Sequence, residues 1–200
     1  MSFLNNDKVV INQKAKLIEL TNEYAIRDTE GNDIGVIRQE GQSKAKKLAR
    51  FVSSLDQFMT HSLSVYQADG SKVLEVTRPR KIMKSTVQVA DGTGAPLGTI
   101  RQQNMIGKIN FGLHDTADEK IGEIRAENWR AWNFSIVDST EQEVARITKT
   151  WEGFAKTVFT TADNYLLDVT PGCQGPLRWL VYASAVSVDL ALKQDARGFG

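Results

Sequence analysis

One pattern recurs along this chain and narrows its fold more than any other feature: an alternating segment, an aspartate, a polar turn, then apolar residues six and nine positions beyond the aspartate. Asp28 leads to Ile34 and Ile37, Asp91 to Leu97 and Ile100, Asp115 to Ile121 and Ile124, and Asp138 to Val144 and Ile147. A fifth copy, Asp69-Gly70, leads to Val73 and Val76 through a turn two residues shorter. Asp, Asn and Gly supply the local hydrogen bonds and the positive φ that tight turns require, so such turns between alternating segments mark β-hairpins. The flanking segments alternate as half-buried strands do, for example Tyr24-Ala25-Ile26-Arg27, Leu63-Ser64-Val65-Tyr66 and Phe134-Ser135-Ile136-Val137. The aspartates do not read as calcium loops, because an EF-hand needs oxygen ligands at alternate positions and a closing Glu.

Two segments break the β rhythm. From Lys44 to Met59, Leu48, Phe51, Val52, Leu55 and Phe58 gather on one side of a helical wheel, with Lys46, Lys47 and Arg50 on the other. This predicts a basic-faced amphipathic helix over 44–59. Near the end, Gly175-Pro176 is a good helix start for a helix near 177–193, in which Trp179, Leu180, Val181, Tyr182, Ala185, Val186, Val188 and Leu190 put apolar side chains on every side, so that helix must be enclosed. An antiparallel sheet has exposed edges and one apolar face, and closing it around an apolar helix removes both liabilities. The expected architecture is therefore a closed antiparallel barrel with a central C-terminal helix. Periodicity alone leaves open a sandwich with the helix packed outside.

Length and charge bound the function classes. At 200 residues the simplest organisation is a single domain over 1–200. Lysine plus arginine number 25 against 24 acidic residues, so nucleic acid is the weakest partner class and electrostatic recognition must be local. Cys173 is the only cysteine, which excludes an intramolecular disulfide and paired-cysteine zinc sites and suits a reducing compartment. The first residues carry no basic stretch leading into a long apolar run, so a cytoplasmic location is expected. The apolar run from Leu177 to Leu192 reaches roughly 24 Å, short of a ~30 Å hydrocarbon core, and it contains Asp189.

No catalytic constellation is apparent. His61 and His114 sit in separate segments without an accompanying nucleophile motif. Asp91-Gly92-Thr93-Gly94-Ala95-Pro96 lacks the Gly-Lys-Ser/Thr of a phosphate loop and falls inside a hairpin. Trp129, Trp132, Trp151 and Trp179 suit a partly wet lipid boundary, with core packing as the commoner use of such residues.

Val9-Val10-Ile11-Asn12-Gln13, Leu20 to Arg27 and the turn Val76-Thr77-Arg78-Pro79 resemble successive parts of the phospholipid scramblases and their LURP-one-related relatives in the tubby C-terminal-like superfamily. The end of the chain is more specific. Lys149-Thr150-Trp151-Glu152-Gly153, Phe159 to Tyr165 and Leu167-Asp168-Val169 are similar in order and spacing to the stretch before that family's terminal hydrophobic helix. The resemblance implies a closed antiparallel barrel of about a dozen strands around the helix, in agreement with the hairpin reading.

The resemblance also implies a lipid surface as the partner and calcium as the cation to consider. Asp163, Asn164 and Asp168 match the segment associated with calcium in scramblases, but Thr161 stands where the family's pattern has an Asp. The alternative is a plain turn with solvated carboxylates. The cysteine-rich acylation stretch of animal scramblases is replaced by Arg80-Lys81-Ile82-Met83-Lys84, which leaves basic clusters as the means of attachment. One cluster is Arg78, Arg80, Lys81 and Lys84; the other is Lys46, Lys47 and Arg50 with Lys44. The expected function is non-enzymatic, membrane-peripheral binding of anionic phospholipid, with phospholipid scrambling as the family's inherited activity. A soluble regulatory module that binds a small molecule or a protein partner is the alternative.

Overall fold

A computed structural model of the chain describes residues 3–13, 23–40, 61–79, 85–104, 110–127, 133–149 and 164–195. The expected amphipathic helix at 44–59 lies outside them. Among the described residues a short 3-10 turn, Phe3–Asn5, leads into twelve strands and one helix. The strands are β1 (Lys8–Gln13), β2 (Glu23–Arg27), β3 (Asp33–Glu40), β4 (His61–Gln67), β5 (Lys72–Arg78), β6 (Thr86–Asp91), β7 (Pro96–Gln102), β8 (Asn110–His114), β9 (Lys120–Ala126), β10 (Asn133–Asp138), β11 (Glu143–Lys149) and β12 (Asn164–Val169). The helix α1 spans Gly175–Asp195, two residues beyond the expected span at each end. Each strand pairs antiparallel with its sequence neighbours, and β1 closes the sheet on β12 with Ile11 opposite Tyr165. The sheet is thus a closed up-and-down barrel, which leaves no edge strand unpaired and settles the sandwich alternative.

Turn chemistry explains the hairpins. In four of them one Asp carboxylate oxygen accepts two backbone N–H groups, two and four residues on. Asp28 takes those of Glu30 and Asn32, both at 2.9 Å, and Asp91 takes those of Thr93 at 2.8 Å and Ala95 at 3.0 Å. Asp115 and Asp138 repeat the arrangement with Ala117 and Glu119, and with Thr140 and Gln142. The third residue after each Asp has positive φ: Gly31 and Gly94, but also Asp118 at 69° and Glu141 at 66°. Each hairpin shifts register by one residue at its turn, as a type I turn followed by a left-handed residue and a bulge requires.

The fifth hairpin differs from its sequence reading. Its turn is not shorter: Gln67 occupies the seat that Asp fills elsewhere, since its N–H reaches Ser71 O at 2.9 Å and its carbonyl accepts from Gly70 at 3.0 Å. Val73 and Val76 then fall at the same six and nine positions beyond it. Asp69 instead caps the amide of its own turn's Ser71 at 2.8 Å.

The barrel is filled by the residues on the inward face of its strands, among them Ile37, Leu74, Ile100, Leu113, Ile124, Phe134, Ile147 and Leu167, all almost fully buried. Helix α1 starts where β12 ends and passes into this interior, with every residue from Leu180 to Ser187 buried. It packs on β5, β6, β7 and β12. Two backbone positions make room for it. A Cβ at Gly98 would lie 2.2 Å from His114 O and 3.2 Å from a Leu180 methyl, and one at Gly122 would lie 2.9 Å from a Leu177 methyl. The enclosed hydroxyls turn back on the helix: Ser184 donates to Leu180 O at 2.6 Å and Ser187 to Ala183 O at 2.7 Å, so neither leaves an unpaired polar group in apolar surroundings.

Candidate functional site

Successive connections of an up-and-down barrel alternate between its two ends. The five Asp or Gln turns therefore all lie at one end, called here the turn end. Strand ends Glu40, His61, Arg78 and Thr86 lie at the other, the connection end. The stretch 41–60 joins β3 to β4 and the stretch 79–85 joins β5 to β6. Because β4 and β5 are neighbours, with His61 opposite Arg78, the stretch that enters β4 and the stretch that leaves β5 meet the barrel on adjacent strands of one rim. Arg80, Lys81 and Lys84, and Lys46, Lys47 and Arg50, are themselves outside the described residues.

Arg78 requires a correction. It shares a strand face with Leu74 and Val76 and is only 4% exposed, so period-two alternation points it into the barrel rather than at the outer surface. It does not offer a charge to a surface partner. Two strands away on the same rim, Gln102 accepts the amide of Ser85 at 3.2 Å and donates to Asn104 O at 3.0 Å.

The calcium set is not brought together. Asp163 lies outside the described residues, Asn164 opens β12 opposite Asn12, and Asp168 lies near the other end of that strand opposite Lys8. Four residue steps along the strand put Asn164 and Asp168 about 13 Å apart, whereas ligands of one calcium ion each sit within ~2.6 Å of it. Asp168 is instead paired with Lys8 Nζ at 3.0 Å. No cluster of three metal-ligating side chains occurs among the described residues.

The other candidates are placed as follows. The ring of His114 approaches the Asp118 carbonyl at 3.3 Å, at the turn end. Gly92 and Gly94 belong to the β6–β7 turn. Trp179 is half-buried against the core; Trp129, Trp132 and Trp151 are outside the described residues.

The outer wall is charge-paired. Arg125 bridges Glu123 at 3.2 Å and Glu141 at 2.5 Å, Arg146 meets Glu143 at 2.6 Å and also Glu127, and Lys72 meets Glu75 at 2.5 Å. The Lys72 ammonium holds the Glu75 carboxyl below the usual range.

At the turn end the structure shows a clamp that the sequence reading missed. Arg178, on the first turns of α1, donates through Nε to Leu4 O at 2.8 Å and through its terminal nitrogens to Asp7 at 2.9 Å and Cys173 O at 3.2 Å. Its guanidinium lies 5.5 Å from the centre of the Tyr182 ring, and the Tyr182 hydroxyl donates to Asn6 O. Burial pushes the Tyr182 phenol up to about 12 and the Cys173 thiol up to about 11. The signal in the sequence was a lone arginine opening an otherwise apolar helix.

No helix among the described residues is long and apolar enough to cross a membrane. No curated protein and no solved structure matches the chain. A family model described as Scramblase matches residues 1–192. That match covers the whole barrel and most of α1, and by it the chain belongs to the scramblase family.

Proposed function

We propose that this protein is a non-enzymatic, membrane-peripheral binder of anionic phospholipid, acting at the cytoplasmic face of a membrane through the connection end of its barrel. The observation that supports this reading is that the two stretches whose sequences hold the basic clusters join the barrel at adjacent strand ends of one rim, 41–60 entering β4 and 79–85 leaving β5. Each cation near an anionic bilayer contributes on the order of 1 kcal/mol. Arg80, Lys81, Lys84, Lys46, Lys47 and Arg50 together reach about 6 kcal/mol, a preference of roughly ten-thousand-fold over a neutral surface. Family membership supports a phospholipid partner.

The barrel wall argues for contact at the surface rather than insertion. A membrane-spanning barrel presents an apolar band to lipid, while this wall carries the Arg125, Arg146 and Lys72 ion pairs, and its apolar helix segment is enclosed. A head group would find no polar path across ~30 Å of hydrocarbon along such a molecule, so the folded chain alone is expected not to scramble lipid.

Co-sedimentation with phosphatidylcholine vesicles, with and without phosphatidylserine, tests the reading. Binding to the anionic vesicles only is expected, and its absence would sink the proposal. Combined Lys46→Glu, Lys47→Glu, Arg80→Glu and Lys81→Glu substitution is expected to weaken binding by about a thousand-fold; unchanged binding would remove the site assignment. Added calcium is expected to change nothing, and a calcium requirement would restore a cation site at Asp163.

A further inference from the structure

We propose that the turn end of the barrel is a docking surface for a cationic amphipathic helix of a protein partner, which sets apolar side chains on a ring of half-buried hydrophobics and lysines or arginines against the turn carboxylates. This surface lies at the opposite end from the proposed lipid contact and does not depend on it.

The ring follows from the bulges. Between β2 and β3, Asp33 stands opposite Arg27 on the outer face and Gly35 opposite Ile26 on the inner face. The extra residue Ile34 has no counterpart on β2, and alternation from Asp33 turns it inward. Val73, Leu97, Ile121 and Val144 are the extra residues of the other four hairpins. Each lies just past its turn, so up-and-down pairing sets all of them at one level beneath the turns. Val144 is buried, and its carbonyl accepts from the Thr170 amide at 2.9 Å, where the β12–α1 connection crosses. Ile34, Val73, Leu97 and Ile121 keep part of their surface exposed while packing on the core, as do Leu177 and Trp179 on the first turns of α1. Scattered apolar residues on a surface are ordinary, but a set gathered at one end marks a contact surface.

The turns supply the sign of the partner. None of the stretches 28–32, 67–71, 91–95, 115–119 and 138–142 contains a lysine or arginine, and each contains a carboxylate. Asp118 and Glu141 are paired with Arg101 and Arg125, whereas Glu30, Asp91, Asp115 and Glu119 ion-pair with no described residue. Thr93 holds the Asp91 carboxyl below its ordinary value and Thr140 does the same for Asp138, so both stay ionised at neutral pH. An apolar floor within an acidic rim complements a segment with one apolar and one cationic face, and it repels an anionic lipid surface.

Spacing selects a helix. Successive turns are two strands apart, about 10 Å, too far for carboxylates of neighbouring turns to share a metal ion whose ligands lie within ~2.6 Å. Lysines one heptad apart on an α-helix are separated by about 10 Å along its axis and reach neighbouring turns, while the apolar stripe between them faces the ring.

The test is NMR of the full chain with isotope-labelled glycine, titrated with a helical leucine–lysine peptide about two heptads long. Saturable shifts are expected at Gly31, Gly70 and Gly94, which lie in the turns, and none at Gly112 in the middle of β8. A serine–lysine peptide of the same charge is expected to bind at least about ten-fold more weakly, and a leucine–glutamate peptide to cause no shift. Glu30→Gln combined with Glu119→Gln, both exposed, is expected to weaken the leucine–lysine peptide several-fold. Equal affinity for the serine–lysine peptide, saturable shifts with the leucine–glutamate peptide, or unchanged affinity in the double variant overturns the proposal. Shifts at Gly112 in place of the turn glycines, or no shifts at all, overturn it as well. Movement of the turn glycines on adding phosphatidylserine vesicles would assign this end to the membrane and overturn the protein partner.

Discussion

At the scale of residues, the fold depends on a few backbone positions that tolerate little. Gly94 and Gly98 sit in one hairpin and look alike in sequence, yet they differ in kind. Gly94 has φ +92° with nothing within 4 Å of the place a Cβ would take, so Gly94→Ala meets only the left-handed penalty of about 1 kcal/mol. Gly98 has φ +147°, and a Cβ there would meet the His114 carbonyl at 2.2 Å across the strand pair, so Gly98→Ala must displace backbone as well. Its cost is expected to be on the order of 3 kcal/mol or more. Urea denaturation of the two variants decides the matter: equal losses would mean that close approach at Gly98 does not hold the strands. Asp118 and Glu141 take the same positive-φ seat without being glycine, which shows the turn geometry outweighing local preference when the flanking strands are paired.

At the scale of elements, the clamp at Arg178 ties three parts of the chain together: the N-terminal 3-10 turn, the β12–α1 connection and α1 itself. A planar guanidinium reaches Leu4 O, Cys173 O and Asp7 at once, a geometry lysine cannot copy. Arg178→Lys is therefore expected to destabilise the protein by about 2 kcal/mol, the range of hydrogen bonds to a charged donor. Asp7→Asn should cost only about 0.5 kcal/mol, because its carboxylate is half exposed and screened by water. Chemical denaturation of both variants checks the ordering, and a larger loss from Asp7→Asn would assign the clamp to the ion pair instead. Nearby, the buried Cys173 thiol offers a local reporter of loosening through its alkylation rate.

For the whole molecule, the repeated turns make stability depend on acid in a defined direction. Asp69, Asp91 and Asp138 are held below the usual carboxylate range, by Ser71, Thr93 and Thr140 respectively. A carboxyl whose folded value is depressed contributes stability in full above its unfolded value of about 3.9, and loses it as the pH falls through the lower folded value. Stability is thus expected to hold from neutral pH to about 5 and to decline below about 4. Thermal melts across that range provide the check. In Asp91→Asn combined with Asp138→Asn the decline should be shallower, and an unchanged slope would place the acid-sensitive groups elsewhere.

The hairpins and the enclosed helix were legible in the sequence because their causes are local: an Asp at a fixed distance from apolar positions, alternation of period two, and a helix apolar on every side. Closure into a barrel followed from the need to cover edges and an apolar face. The charged sites were less legible, because alternation defines two strand faces without saying which one a closing sheet turns inward. Only the closed sheet put Arg78 inside, set Asp168 opposite Lys8 at a distance from Asn164, and seated Gln67 rather than Asp69 at the head of its turn. The sequence alone determined the hairpin strands with their Asp-headed turns and the enclosed C-terminal helix, since those depend on neighbours along the chain. The tertiary structure decided which charges share an end, because that depends on strand direction and pairing across the barrel.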